Sequence, residues 1–200
     1  MYSLHQTEGI VLAAWPRGEA DRTLRLYTRA YGGITLVAKG VRLEKSKLRG
    51  NIDLFCRLNA GFVAGREVYR LTYAQAEQMF PRMRADWDRY RAAGYIANLM
   101  GRVVANGEQD QELWQLLVRA FSFLDGSDFK RENVRIFLCS FELKFLRCLG
   151  YLPREVPRAA YMLVSAPAFM PEEPLKPHDL EQLSVFLRDI RQYANLGNRN

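Results

Sequence analysis

Two hundred residues suffice for one large domain or two small ones, and a chain of this size can bury a core without help from disulfides or metals. The hydrophobic fraction of 48% and the charged fraction of 26% are those of an ordinary globular protein. The balance of sign is less ordinary: 29 Lys and Arg against 22 Asp and Glu leave +7, which fits an anionic partner, nucleic acid before an anionic membrane surface, or a mildly basic surface kept for solubility.

The first eighty residues read as β. Gly9–Trp15 is apolar and β-rich, and Pro16-Arg17-Gly18-Glu19 is a turn signal. From Thr23 to Thr28, Leu24 and Leu26 alternate with Arg25 and Tyr27; after Gly32-Gly33, Ile34, Leu36 and Ala38 alternate with Thr35, Val37 and Lys39. Ile52, Leu54, Cys56 and Leu58 give the cleanest period-two pattern of the chain, and Val68–Tyr73 supplies a fifth strand. Five short strands with turn signals between them predict a small barrel, and barrels of this size are often OB-folds.

After Pro81 the period becomes helical. One helix runs to about Ala105 on the face Trp87, Tyr90, Gly94, Ala97 and Met100. A second carries Leu113, Leu117, Phe121 and Leu124, with Asp110 as N-cap and Gly126 just beyond its end. A third spans 128–149, with Asp128 to cap it and Gly150 to end it. Residues 151–177 hold six prolines and read as irregular, with a short strand expected at Tyr161–Val164. Leu180, Leu183, Leu187 and Ile190 form a last amphipathic helix. The expected class is therefore α+β: a five-stranded OB-fold barrel over 1–80, then an all-α domain over 81–200.

Constellations for catalysis are missing. His5 and His178 fall in no metal-protease pattern, and no phosphate loop, dinucleotide fingerprint or nucleophile elbow occurs. Cys139 and Cys148, nine residues apart on one helix, project to opposite faces and cannot share a metal. Cys56 reads as a buried thiol. An odd count of three cysteines without close spacing fits a reducing cytosol. The polar opening MYSLHQTEG and the lack of an 18-residue apolar run predict neither a signal peptide nor a membrane span. The expectation is a non-enzymatic, cytoplasmic protein without cofactor.

Ala38–Gly50 holds Lys39, Arg42, Lys45, Lys47 and Arg49 against one acid, Glu44. If extended, Lys45, Lys47 and Arg49 project one way, and Gly40 and Gly50 let backbone approach a ligand. Arg17 and Arg22 join the same surface. A solvated connection would carry mixed charge, so phosphate binding is the better reading. Tyr27 and Phe55 point away from the apolar faces of their strands, where a ring either stacks on a base or packs against a neighbouring element; packing is the commoner use.

These residues also carry a resemblance. Thr7–Leu12, Gly18–Arg22, Leu36–Arg42, Ser46–Gly50 and Phe55, followed far downstream by Phe141–Tyr151, resemble the RecO family of bacterial DNA-repair proteins over about residues 7–151. The resemblance implies an OB-fold joined to a helical domain. It implies a recombination mediator that binds single- and double-stranded DNA, anneals complementary strands, and acts with RecR and the acidic C-terminal tail of the single-strand-binding protein so that RecA loads. DNA contacts then fall on Lys39 and Arg42, more loosely on Lys45, Lys47 and Arg49. Many members hold zinc with two cysteine pairs after the LGY motif; residues 151–177 contain no cysteine, so this segment must hold itself by packing. For the acidic tail, a basic rim beside an apolar pocket is required, and Arg135, Leu138, Phe141 and Lys144 supply one unless they are simply core and solvated face. An OB-fold RNA-binding or regulatory protein without a recombination role is the alternative.

Overall fold

A computed structural model of the chain describes residues 3–65, 68–103, 109–126 and 129–194. Five strands come first: β1 (Leu4–Arg17), β2 (Asp21–Thr28), β3 (Gly32–Ala38), β4 (Arg57–Val63) and β5 (Tyr69–Gln78). Helices follow: α1 (Pro81–Ala85), α2 (Trp87–Val103), α3 (Gln111–Asp125), α4 (Val134–Cys148) entered through a 3₁₀ turn at Arg131–Asn133, α5 (Arg158–Ser165) and α6 (Pro177–Tyr193). The chain falls into two compact units, Met1–Pro81 with Ala93–Trp114, and Arg82–Ala92 with Gln115–Asn200.

In the first unit the strands close in the order β1-β2-β3-β5-β4, antiparallel throughout except for the short parallel pairing of β3 with β5. This is an OB-like barrel. Leu24, Leu26, Ile34, Leu36, Leu58 and Phe62 fill its interior, as period-two alternation requires. A bulge between Val11 and Ala13 shifts the register of β1 against β2, so that Ala14 turns inward and Trp15 outward.

The fourth strand lies later than alternation predicts. Ile52 and Cys56 are buried, yet residues 51–56 form turns and β4 begins only at Arg57. Phe55 takes a left-handed backbone, φ 65°, and its N–H donates to the Val11 carbonyl at 2.8 Å while the Val11 N–H donates to the Cys56 carbonyl at 3.1 Å. The apolar residues of 52–56 thus serve the core from a folded-back segment. Both Tyr27 and Phe55 are buried. The Tyr27 hydroxyl donates to the Asp110 carbonyl at 3.3 Å and its ring centroid lies 6.4 Å from that of Trp114. Packing, not base stacking, occupies both rings.

The helix ends follow local chemistry. Asp110 Oδ1 accepts the N–H groups of Glu112 and Leu113 at 2.8 and 3.0 Å, which is an N-cap. Gly126 follows α3 directly, its N–H on the Phe123 carbonyl. Gly150, φ 75°, ends α4: its N–H reaches the Arg147 carbonyl at 3.0 Å and that of Tyr151 reaches Leu146 at 2.9 Å, the Schellman pattern. Asp128 lies outside the described residues.

In the second unit, Tyr161–Val164 is helical, within α5, and not a strand. A short apolar run does not distinguish the two; here Ala159, Ala160 and Leu163 share one buried face against Leu143, Leu146 and Leu183. The buried Ser140 hydroxyl donates to the Leu163 carbonyl at 3.3 Å. Lys144 completes the joint: Nζ donates to the carbonyls of Val164 and Ala166 at 2.9 and 2.7 Å, at the C-terminal end of α5, where a cation offsets the helix dipole. The cysteine-free segment after α4 is therefore held by packing and by one buried ammonium. Cys139 and Cys148 both lie on α4, and neither is in a disulfide.

Candidate nucleic-acid interface

The β1–β2 turn and the β3–β4 connection are stitched together at one end of the barrel. Gly40 takes φ 63°, and its N–H donates to Asp21 Oδ1 at 2.7 Å. The Arg42 N–H donates to the Ala20 carbonyl at 2.9 Å, and Arg42 Nη1 to the Gly18 carbonyl at 3.3 Å. Arg22 lies opposite Ala38 across β2 and β3, and Arg17 opposite Asp21 across β1 and β2. The tertiary structure thus gathers Arg17, Arg22, Lys39 and Arg42, as the sequence suggests.

The rest of the connection is not extended. It is a chain of tight turns, with N–H groups of Leu43, Ser46, Arg49 and Asn51 each donating to the carbonyl three residues back at 3.0–3.3 Å. Alternation therefore does not align Lys45, Lys47 and Arg49 on one side. Val41 and Ile52 enter the barrel core and Leu48 packs against it, so the loop is pinned from below while Lys45, Lys47 and Arg49 stay exposed. Across Arg17–Arg22 and Ala38–Gly50, seven cations meet three carboxylates, Glu19, Asp21 and Glu44. Among the described residues, none of the seven is ion-paired, whereas Arg57 is paired with Glu8 at 2.9 Å on the same barrel. The cluster therefore carries an excess of positive charge on a pinned backbone, chemistry suited to an anionic ligand.

Two residues escape sequence reasoning. The outer row of the barrel runs Trp15, Thr23, Val37, Arg70 across β1, β2, β3 and β5. Trp15 is 43% exposed and Arg70 is exposed as well. Nothing local in the sequence joins residue 15 to residue 70; only barrel closure does. The middle of the β2–β3 outer face, a common ligand surface of OB barrels, is covered by this unit's own residues: Asp110 and Trp114 over Tyr27, and Gly101 beside Arg25.

The expected acidic-tail residues fare unequally. Arg135 is exposed and donates to Ser184 Oγ at 2.8 Å; Leu138 is half-buried. Phe141 is fully buried, stacked with Phe145, and Lys144 is only 7% exposed with its ammonium spent on two carbonyls. Phe141 and Lys144 belong to the interior because the face of α4 that carries them meets other helices, which a one-helix pattern does not show.

The architecture is a closed OB-like barrel with a basic end, followed in the chain by helices. The family description Recombination protein O N terminal matches residues 1–80, and Recombination protein O C terminal matches residues 84–161. The chain belongs to the recombination protein O (RecO) family. It is 33% identical over 150 residues to the DNA repair protein RecO of Pelotomaculum thermopropionicum, covering 75% of this chain and 57% of that protein. Identity to the DNA repair protein RecO of Rubrobacter xylanophilus is 32% over 152 residues, 76% of this chain and 60% of the relative; to that of Desulforudis audaxviator it is 34% over 149 residues, 74% and 58%. The chain thus spans less than two thirds of the length of these relatives.

Proposed function

We propose that this chain acts in DNA repair as a recombination mediator, binding single- and double-stranded DNA through the basic end of its barrel and annealing complementary strands. The observation that carries the reading is the set Arg17, Arg22, Lys39, Arg42, Lys45, Lys47 and Arg49, held by a pinned backbone and free of ion pairs among the described residues. Annealing needs no covalent chemistry. Cations that neutralise backbone phosphate lower the repulsion between strands and hold them close. The protein is a binder, not an enzyme, and works in the cytoplasm at the nucleoid.

In this reading residues 1–80 are the nucleic-acid-binding domain and residues 81–200 the partner-docking domain. Partners are RecR and the acidic C-terminal tail of the single-strand-binding protein, and through them RecA. Arg135 and Leu138 remain the surface candidates for the tail.

The test is salt dependence. Replacing Lys39, Arg42, Lys45 and Lys47 by alanine should weaken single-strand binding equally for all sequences. The log–log salt slope should become shallower by roughly 0.7 for each phosphate that the variant no longer neutralises. An unchanged slope would remove the loop from the interface. Failure of the wild-type chain to anneal strands or to bind an acidic tail peptide, with RNA bound as well as DNA, would favour the RNA-binding alternative.

A further inference from the structure

We propose that Trp15 is a base-stacking platform that gives the barrel a preference for single strands over duplex; this rests on the phosphate-binding reading above. Trp15 sits near the end of β1, outward-facing because of the bulge at Val11/Ala13, and its indole is 43% exposed. Its cross-strand neighbour is Thr23, itself opposite Val37; both are uncharged and buried, so the exposed members of this row are Trp15 at one end and Arg70 at the other. One step along the same face of β1 lies Arg17, opposite Asp21. Lys39 directly follows the last residue of β3 and is fixed there by the bond from the Gly40 N–H to Asp21 Oδ1. Arg70 closes the far end of the Trp15 row.

An exposed indole bordered by cations matches one ligand chemistry well: a planar, neutral base on a strand whose backbone is anionic. The nearby carboxylates are Glu19 and Asp21, and Asp21 already accepts a backbone N–H. Arg17 and Lys39 take phosphates while the ring takes a base. Stacking is indifferent to base identity, since every base has a π-face. Duplex bases have both faces covered by their neighbours, so Trp15 contributes only when a base is unpaired. The cations, by contrast, serve single strand and duplex alike.

The experiment compares Trp15→Ala and Trp15→Phe with the wild-type 200-residue chain, using oligo(dT) and a mixed-sequence duplex. Alanine should weaken oligo(dT) binding about ten-fold or more, leave duplex binding within about two-fold, and leave the single-strand salt slope unchanged, because no charge is removed. Phenylalanine should recover part of the loss. In a Trp87→Phe background, where the remaining tryptophan besides Trp15 is the buried Trp114, oligo(dT) should quench the emission and duplex should not. Wild-type binding with Trp15→Ala equal to it, or equal losses on both ligands, overturns the role of Trp15 alone. Absence of DNA binding by the wild type overturns the phosphate-binding reading itself.

Discussion

The Gly40 N–H donates to Asp21 Oδ1 at 2.7 Å, which fastens the start of the basic loop to the start of β2. The same carboxylate is an acid among cations, so its two roles can be separated. Asp21→Asn keeps an oxygen acceptor and removes a negative charge; DNA binding should tighten a few-fold. Asp21→Ala loses the acceptor, costs about 1–2 kcal/mol of stability, and should raise hydrogen exchange of the Gly40 and Arg42 amides. Equal DNA affinity of the two variants would show that the tether does not matter to binding.

Arg89 is a clamp in the helical unit. Nη1 donates to the carbonyls of Leu124 and Gly126 at 2.6 and 2.7 Å, Nη2 to that of Phe129 at 3.0 Å, and the guanidinium lies 4.9 Å from the Phe129 ring centre. Arg89→Ala should lower stability by about 2–4 kcal/mol, because charged hydrogen bonds to several carbonyls are lost together. Arg89→Lys should recover only a small part, since a point ammonium lacks the planar fork. Urea unfolding of the three proteins measures both.

Glu142 and Arg191 form a two-pronged ion pair between α4 and α6. Glu142 is 2% exposed, whereas the Arg191 side chain is 39% exposed. Removing the arginine takes the bidentate partner from a buried carboxylate; removing the glutamate leaves a guanidinium that reaches solvent. Arg191→Ala should therefore destabilise by about 3–5 kcal/mol, and Glu142→Ala by clearly less. Chemical denaturation of both variants at pH 7 gives the comparison, and a reversed order would refute the burial argument.

Burial lowers the Lys144 ammonium to about 8 from 10.5, with Arg147 and Arg119 adding to the shift. Below pH 8 the folded and unfolded chains both hold this proton, and Lys144 adds no pH dependence. From pH 8 to 10.5 the unfolded chain binds more protons than the folded one, so the contribution of Lys144 to stability rises with pH. A neutral amine still has two N–H groups, enough for the carbonyls of Val164 and Ala166. Wild-type stability relative to Lys144→Met should accordingly increase across that window. A flat difference between the two proteins would contradict the assignment.

Much of the fold is legible locally. Alternation in 23–28 and 34–38, the Asp110 cap and the Gly150 stop each depend on near neighbours in the chain, and each appears where the pattern places it. The misreadings share a cause. Residues 52–56 alternate because they feed the core, but a left-handed Phe55 and its bonds to Val11 bend them out of any strand. Tyr161–Val164 became helix through burial against α4 and a lysine from that helix. Phe141 and Lys144 read equally as a partner pocket with its rim and as core with a solvated face until the helices packing on α4 are known.

For the interface the division is similar. Which residues are basic, that they cluster at 39–49, and that the chain resembles the RecO family are properties of residue order alone. That the loop is coiled into turns, and that Trp15 and Arg70 lie on one outer row, came only from the tertiary structure. Periodicity records which face of a segment is buried. It carries no information about which distant segment supplies the neighbour, and charge clusters and stacking surfaces are made of such neighbours.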